Sequence, residues 1–355
     1  MNNDRIQEIL DLMEEARLDY FLISDPQSIA YCTGYYNDPH ERMFVFMISK
    51  HGNHTLFMND LFYLDHDLDV NIVWHKDGQD AIQTIVDEMH FPGRIGIDKN
   101  WASHFLLDLM KKLPDAKYIN ASPCVDLEKK KKDWQEQVLM IESSKINDAV
   151  MEEIIPFIQE GVTEKQLAKK LDELFFNHHS TCYGAIVAFG KNAADPHHEN
   201  DDTLLRKGDC VLIDMGCVYK GYCSDMTRTF FYEGILEEEI KVYEIVKKAN
   251  EAAEAMIKPG VKLSDIDKCA RKVISDEGYG KYFTHRLGHF IGRDVHEYGD
   301  VSSVNEMEVE EGMIFSIEPG IYLEGNFGVR VEDLVMVTKD GYQVLNSFTK
   351  DIYII

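Results

Sequence analysis

The sequence predicts a mixed α/β protein with two domains. The chain has 355 residues, a length that corresponds to about two domains. Its first third alternates short apolar segments of strand length with segments of helical periodicity, which is typical of an α/β domain. The remainder combines helical segments with apolar strands joined by glycine-containing turns, which indicates an α+β domain containing hairpins.

The first third begins with a predicted amphipathic helix, in which apolar residues recur at helical spacing. These residues are Ile6, Ile9, Leu10 and Met13. Strands are predicted at residues 20–23, 44–48, 55–58 and 94–97, and helices at 79–89 and 102–113. The turn-rich residues 120–123 end this region, so we predict an N-terminal domain of residues 1–126 and a C-terminal domain of residues 127–355.

The second domain begins with a charged segment that leads into a long predicted helix ending near Gln159. A further helix follows Thr163, its predicted N-cap residue, and two more are predicted near residues 237–256 and 263–277. A basic run, residues 129–132, lies at the start of this domain between acidic neighbours. We expect it to be a solvated helix start or linker.

Charge and composition restrict the partners and the compartment. The net charge is −26, and nucleic acids and anionic membrane surfaces both favour clustered basic residues. No apolar run reaches the roughly 18 residues that a bilayer requires, and the N-terminus lacks the features of a secretory signal. The seven cysteines show no CxxC spacing and fit reduced thiols. We therefore expect a cytoplasmic protein that binds neither nucleic acid nor membranes.

A pair of aspartates flanks the first predicted hairpin of chemical interest. Asp214 ends an apolar strand, and Asp225 follows eleven residues later, beyond a turn at residues 219–221. Antiparallel pairing about that turn would place the two residues opposite each other, with Cβ atoms about 5 Å apart. Carboxylates at that distance repel each other unless a proton or a cation lies between them.

A pair of glutamates shows the same arrangement downstream. Glu318 and Glu332 have their midpoint at Gly325, inside a glycine-containing turn. The sequence therefore predicts a second hairpin with a second opposed pair of carboxylates. Four such carboxylates are costly to bury without cations.

Histidines complete the candidate site. Three of them fall within twelve residues punctuated by glycines, namely His285, His289 and His296. One imidazole with four carboxylates forms an oxygen-rich set that suits two divalent ions, best Mn²⁺, with Co²⁺, Zn²⁺ or Fe²⁺ as alternatives. Such paired ions activate water. Another histidine pair, His197 and His198, precedes the Asp214 strand, where one of them could meet a substrate.

Each of these elements also fits a purely structural role. A strand-end aspartate can be a turn or cap residue, a glycine-flanked histidine can be structural, and Glu-Pro-Gly can be an ordinary turn. The nearby cysteines, Cys210, Cys217 and Cys223, are interpreted as small buried residues, because the surrounding oxygen ligands suit harder metals. The residues alone leave both interpretations open, and the conjunction of two carboxylate hairpins with a histidine-rich loop favours the metal site.

The same segments resemble the pita-bread metallopeptidase family, which includes methionine aminopeptidases, Xaa-Pro aminopeptidases and Xaa-Pro dipeptidases (prolidases). The matching segments are residues 212–230, 283–297, 315–322 and 328–338. The first third, notably residues 28–35, is similar to the N-terminal domain of the prolidase and creatinase branch. The resemblance implies a small creatinase-like α/β domain followed by a pita-bread catalytic domain, in which helices flank a curved antiparallel sheet.

The resemblance also implies a role for each matching residue. The implied metal ligands are Asp214, Asp225, His289, Glu318 and Glu332, with Asp225 and Glu332 bridging two ions and Glu318 also accepting a proton from the attacking water. The other implied catalytic residues are His296 and His197, with His198 as the alternative to His197. The implied substrate-binding residues are His285, Tyr322 and Arg330, and Phe290 is expected to help form the proline pocket.

The activity that the resemblance implies is metal-dependent hydrolysis of the peptide bond before proline in Xaa-Pro dipeptides or short peptides, by a homodimer with two divalent ions. The alternative is an Xaa-Pro aminopeptidase acting on longer peptides. More remote alternatives are a metal-free creatinase-like hydrolase and a non-catalytic binding protein with the same fold, both of which normally lack the metal ligands.

Overall fold

The computed structural model describes residues 1–64, 67–91 and 93–355. The chain separates into two compact units, Met1–Lys129 and Lys130–Ile355. Both units mix helices with strands, and the predicted fold class is confirmed. The boundary predicted after residue 126 falls inside a helix that continues to Lys129. Among the described residues, no helix combines the length and apolarity needed to span a bilayer.

The first unit is a sheet covered by helices on both faces. Its helices are α1 (Asn3–Glu15), α2 (Pro26–Thr33), α3 (Ala81–Glu88), α4 (Ser103–Lys112) and α5 (Ser122–Lys129). Its strands are β1 (Tyr20–Ile23), β2 (Val45–Ser49), β3 (Thr55–Asn59), β4 (Asn71–His75), β5 (Arg94–Ile97) and β6 (Lys117–Asn120). The mixed sheet has the order β4-β3-β2-β1-β5-β6. One core lies under α1, α2 and α5, and a second lies under α3 and α4.

The second unit contains long helices and antiparallel strands. Its helices are α6 (Trp134–Ile154), α7 (Glu164–Asn177), α8 (Glu237–Glu254) and α9 (Leu263–Asp276). Its first strands are β7 (Thr181–Cys182), β8 (Ile186–Phe189), β9 (Cys210–Met215), β10 (Cys217–Tyr219), β11 (Tyr222–Cys223) and β12 (Met226–Phe231). The later strands are β13 (Gly288–His289), β14 (Asp300–Val301), β15 (Ile314–Ile317), β16 (Gly320–Leu323), β17 (Phe327–Arg330), β18 (Asp333–Val337) and β19 (Tyr342–Val344).

Strand β9 separates the two helical layers of this unit. Val211 and Ile213 pack with α6 and α7, whereas Cys210 and Leu212 pack with α8 and α9. Side chains alternate between the two faces of a strand, so Asp214 shares the face of Cys210 and Leu212. Thr163 caps α7 as predicted, accepting a hydrogen bond from the backbone N–H of Gln166.

The predicted register of the first hairpin is wrong by two residues. Asp214 pairs with Thr227 rather than with Asp225, which lies between β11 and β12. The turn is the two-residue type centred on Lys220 and Gly221, whose φ angles of 49° and 84° match the left-handed conformation that such turns require. The turn centre therefore lies one residue beyond the midpoint of the two aspartates.

The second hairpin has the predicted register. Gly320 pairs with Arg330 and Ile317 pairs with Asp333, so Glu318 and Glu332 occupy equivalent positions between the two ladders. The turn at Gly325 is also confirmed.

The basic run is not the solvated segment that was expected. Lys129 ends α5 and is buried, and Lys132 is also buried. Lys130 forms an ion pair with Glu310, and Lys132 forms one with Glu297. A buried carboxylate therefore compensates the charge of Lys132, and a partly exposed one compensates that of Lys130.

Candidate metal centre

The second unit encloses a cavity of about 360 Å³ that gathers the candidate residues. The predicted ligands all line it, namely Asp214, Asp225, His289, Glu318 and Glu332. Other predicted site residues on its wall are His197, His285, His296 and Arg330. Residues separated by more than a hundred positions in the chain thus share one space.

Three potential ligands converge most closely. One donor atom from each of Asp225, His289 and Glu332 lies within 4.8 Å of the other two. All three side chains are buried. Asp225 comes from the segment between β11 and β12, His289 from β13, and Glu332 from the segment between β17 and β18.

Glu318 and Asp214 line the same cavity and have different partners. Glu318 Oε1 lies 3.6 Å from His289 Nε2, and it accepts a hydrogen bond from Ser316 Oγ. Asp214 Oδ2 instead forms a 2.6 Å ion pair with Arg330. The five predicted ligands therefore line one cavity, and three of them form its tightest cluster.

The buried carboxyl groups hold protons unusually strongly. Burial raises the pKa of Glu318 to about 7, with a further contribution from the charge of Asp214 that Arg330 opposes. Burial and then the charges of Asp214 and Glu318 raise the pKa of Asp225 well above its usual range. Burial and neighbouring carboxylates likewise raise the pKa of Glu332. A divalent cation would relieve the repulsion that produces part of these shifts.

His289 is oriented as a metal ligand would be. Burial, followed by the neighbouring His296, lowers the pKa of His289 to about 3, so the ring is neutral. Its Nδ1 lies 3.2 Å from the carbonyl oxygen of Phe290, and an Nδ1–H donating there leaves the Nε2 lone pair free. That Nε2 faces both Asp225 and Glu318 at 3.6 Å.

Arg330, Tyr322 and His285 form a chain of hydrogen bonds, in which Arg330 and His285 line the cavity and Tyr322, which does not, joins them. Arg330 donates to the Tyr322 hydroxyl at 3.0 Å, and that hydroxyl lies 2.8 Å from His285 Nε2. His285 Nδ1 lies 2.7 Å from the carbonyl oxygen of Arg286, so the Nδ1–H donates there and Nε2 accepts from Tyr322. Burial lowers the pKa of His285 to about 4, and the ring is neutral.

The two adjacent histidines, His197 and His198, face different surroundings. His197 lines the cavity, whereas His198 Nε2 lies 2.7 Å from the fully buried carboxylate of Glu164. Glu164 also accepts hydrogen bonds from the backbone N–H groups of Phe189 and Asp201. Glu164 therefore anchors both ends of the segment that presents His197, and His198 belongs to this anchor.

His296 lines the cavity, whereas Phe290 does not. The His296 ring packs edge-to-face against His289, with centroids 4.2 Å apart, and it lines the cavity. Phe290 is fully buried in the core and packs against Phe315. The expectation that Phe290 helps form the proline pocket is therefore wrong. Successive side chains on an extended segment point to opposite sides, so Phe290 points away from the cavity that its neighbour His289 lines.

Other residues at the site were not predicted as functional. Tyr183 lines the cavity and donates to the carbonyl oxygen of Ser224 at 2.8 Å. A Cβ at Gly216 would lie 1.9 Å from the Tyr183 hydroxyl, so glycine is required there. Thr227 donates to Glu332 Oε2 at 2.6 Å, and Arg286 also lines the cavity. A correct register for the first hairpin would have placed Thr227 opposite Asp214, whereas no local pattern indicates Tyr183.

The donor set fits divalent cations. It offers several carboxylates and one neutral imidazole, a combination that suits Mn²⁺, Zn²⁺ and related ions. The buried cysteines lie outside the cluster, and burial raises the pKa of Cys210 to about 12, which disfavours the thiolate that a metal needs. All seven cysteines are free thiols.

Comparisons with known proteins agree with this geometry. The model of metallopeptidase family M24 matches residues 138–339, and that of the creatinase/prolidase N-terminal domain matches residues 5–127. An uncharacterized peptidase of Staphylococcus aureus strain USA300 is 35% identical over 355 residues, covering 98% of this chain and 99% of that protein.

Solved structures with similar folds extend over the whole chain. A dipeptidase from Pyrococcus horikoshii OT3 superposes with a TM-score of 0.93 at 34% identity, covering 99% of this chain and 100% of that one. A prolidase from Thermococcus sibiricus has a TM-score of 0.95 at 32% identity, covering 100% and 99%. An Xaa-Pro dipeptidase from Bacillus anthracis has a TM-score of 0.92 at 28% identity, covering 99% of each chain.

Proposed function

The chain belongs to metallopeptidase family M24, and from this premise we propose that it hydrolyses the peptide bond before proline in Xaa-Pro dipeptides. It is a peptidase, and thus a hydrolase. The observation that carries the proposal is the convergence of Asp225, His289 and Glu332 in the cavity that Asp214 and Glu318 also line. Similarity to structures described as prolidases and Xaa-Pro dipeptidases supports the choice of substrate.

We propose that five side chains hold two divalent ions, and that these ions are Mn²⁺. The proposed ligands are Asp214, Asp225, His289, Glu318 and Glu332. When bound, the ions supply a water of lowered pKa and polarise the scissile carbonyl. The carboxylate-rich ligand set favours manganese, and Co²⁺, Zn²⁺ and Fe²⁺ remain candidates.

The side chains around the ligands move and hold protons. Glu318 also accepts the proton of the attacking water and passes it to the leaving nitrogen. His197 or His296, when protonated, stabilises the negative charge that develops on the carbonyl oxygen. Both line the cavity within which the substrate must bind.

The Arg330–Tyr322–His285 chain supplies the substrate-binding wall. The nitrogen of a peptide bond before proline carries no hydrogen, so recognition depends on shape and on the groups around the ring. His285, held from behind by Tyr322, faces the cavity for this purpose. A dipeptide also presents the free carboxylate of proline, for which Arg286 is the candidate partner.

Metal-dependent turnover of matched peptides tests the proposal. Chelator-treated protein is supplied with Mn²⁺, Co²⁺ or Zn²⁺ and assayed on an Xaa-Pro dipeptide and on a tripeptide with the same first two residues. We expect Mn²⁺-dependent release from the dipeptide. Cleavage of the tripeptide alone would support the Xaa-Pro aminopeptidase instead. Absence of a bound divalent ion, with no rescue by any of the three, would exclude a metallopeptidase.

We further propose that the protein is a cytoplasmic homodimer whose partners are proline-containing di- or short peptides, and not nucleic acid or membranes. Its seven free cysteines fit a reducing compartment, and its net charge of −26 opposes binding to polyanions. The homodimer follows from the family resemblance. Light scattering on the eluted protein tests it, and a monomer mass would contradict it.

A further inference from the structure

The loop that carries His296 closes around a buried ion pair. Lys132 Nζ lies 2.8 Å from Glu297 Oε2, and the two side chains are only 1% and 4% exposed. Glu297 directly follows His296 in the chain. We propose that Lys132 and Glu297 are positioning residues that hold His296 in the cavity, an inference that rests on the peptidase function proposed above.

The Glu297 carboxylate organises the loop at residues 290–297. Its Oε1 accepts a hydrogen bond from the backbone N–H of Arg293 at 3.0 Å, and its own backbone N–H donates to the carbonyl of Phe290 at 2.9 Å. A Cβ at Gly292 would lie 2.7 Å from both carboxylate oxygens. The loop therefore wraps tightly around this side chain.

Lys132 reaches the loop from a fixed backbone. Its N–H donates to the carbonyl of Gly312 at 2.8 Å, and its carbonyl accepts from Gln137 Nε2 at 2.7 Å. Gly312 lies just before β15, the strand that precedes Glu318. The backbone of Lys132 is thus tied to the segment that leads through β15 to Glu318, one of the proposed metal ligands.

The loop contacts one proposed metal ligand, His289, and the backbone of the short strand that precedes another, Asp225. The His296 ring packs on His289 at 4.2 Å, and the backbone N–H of Cys223, two residues before Asp225, donates to the carbonyl of Gly292 at 2.7 Å. A change in the loop would therefore move His296 relative to the cluster.

Stability alone does not account for this ion pair. Burying two charges carries a desolvation cost, and replacing such a pair by neutral residues of similar volume is often neutral or stabilising. Removing one partner takes away the countercharge that lies 2.8 Å from the other. We therefore attribute the Lys132–Glu297 pair to the position that it gives the loop at residues 290–297.

The control is Glu310, which pairs with Lys130 and Lys131 of the same basic segment. Lys130 Nζ lies 2.9 Å from Glu310, whose side chain is 41% exposed. The variant Glu310→Gln removes a charge of the same kind without touching the His296 loop. The test variants are Lys132→Met, Glu297→Gln and their combination, which removes both charges of the pair and guards against misfolding of the single variants.

In the holoenzyme, we expect the combined variant to lower kcat on an Xaa-Pro dipeptide by about 10- to 100-fold while KM stays within about twofold. Glu310→Gln should match the wild type. Amide hydrogen exchange measured by mass spectrometry should be faster across residues 290–297 in the combined variant. This readout requires no substrate, so it separates failure of this inference from failure of the proposed function.

A second background distinguishes positioning from general damage. If Lys132 and Glu297 act through His296, adding their substitutions to His296→Ala should cause no further loss of kcat. An equal loss in both backgrounds would overturn the inference. Loop exchange in the combined variant that equals that of the wild type would overturn it as well.

Discussion

Replacing Thr227 by valine should weaken metal binding, although Thr227 is not itself a proposed metal ligand. The Thr227 hydroxyl is fully buried, donates to Glu332 Oε2 at 2.6 Å and accepts from Arg330 Nε at 3.0 Å. Valine has nearly the same volume, so Thr227→Val removes these two hydrogen bonds without opening a cavity.

The magnitude follows from the charges involved. Hydrogen bonds to charged groups contribute about 1.5–3 kcal/mol each, and the loss here leaves both Glu332 and Arg330 without this partner. We expect Thr227→Val to lower the free energy of unfolding by about 3 kcal/mol. Residues that orient a metal ligand typically change metal affinity by about 10- to 100-fold, and we expect that loss for Mn²⁺.

The assay compares Thr227→Val with Thr229→Val on the same strand. Thr229 is equally buried, but its hydroxyl donates to the Arg330 carbonyl at 3.0 Å and accepts from the Arg330 backbone N–H at 3.2 Å. Its loss should cost about 2 kcal/mol of stability and leave Mn²⁺ affinity within about threefold. Calorimetric titration of chelator-treated protein measures the affinities. Equal affinity losses in the two variants would refute the reasoning.

Three further predictions concern charge. Asp214→Asn should bind Mn²⁺ poorly and reduce dipeptide turnover to background while the circular dichroism spectrum is unchanged; full turnover would contradict its role as a ligand. The pKa of Glu318 is raised from 4.5 to about 7 in the metal-free protein, so its contribution to stability is complete below about pH 4.5 and is lost as pH rises through about 7. Thermal unfolding should show this fall in stability. The affinity for Mn²⁺ should rise over the same pH window, because ligation needs the carboxylate. Glu164→Gln should lower the free energy of unfolding by about 3–5 kcal/mol and lower kcat through His197. The control Glu173→Gln removes a surface pair with Lys170 and should cost less than about 1 kcal/mol. Equal effects of the two variants in denaturant titrations would exclude the anchoring role of Glu164.

The two carboxylate hairpins show how well the sequence midpoint of two residues predicts the centre of a turn and the strand register. The midpoint of Glu318 and Glu332 coincides with their turn, and the register follows. The midpoint of Asp214 and Asp225 misses its turn by one residue, because Lys220 and Gly221 form the turn by themselves. A register error of two residues keeps every side chain on its predicted face, so both aspartates still line the cavity.

Other elements carried local signals that periodicity does not detect. Helix α2 follows Asp25, whose side chain caps it, has proline at its first position, and is ended by Gly34 with φ 80°. These signals lie in the sequence itself, although the helix is short. Helix α5 differs, because it begins with the turn-like Ser122-Pro123 and contains few apolar residues of clear periodicity.

The supporting residues of the site could not be predicted from any local pattern. Glu164 belongs to the first turn of a helix, where an acidic residue is ordinary, and its partner His198 lies 34 positions away. Lys132 belongs to a basic run, whose side chains are usually exposed to solvent, and its partner Glu297 lies 165 positions away. Their roles depend on tertiary contacts that composition and spacing do not encode.

Arg330 explains why these separate parts form one site. Its Nε donates to Thr227, one terminal nitrogen donates to the Tyr322 hydroxyl, and the other pairs with Asp214. Through Thr227 it reaches Glu332, and through Tyr322 it reaches His285, so one planar group sets the spacing between carboxylates and the substrate-facing wall. A lysine would supply the same charge, but its single nitrogen cannot hold three partners in a fixed plane. The geometry of the centre therefore depends on the shape of the guanidinium as much as on its charge.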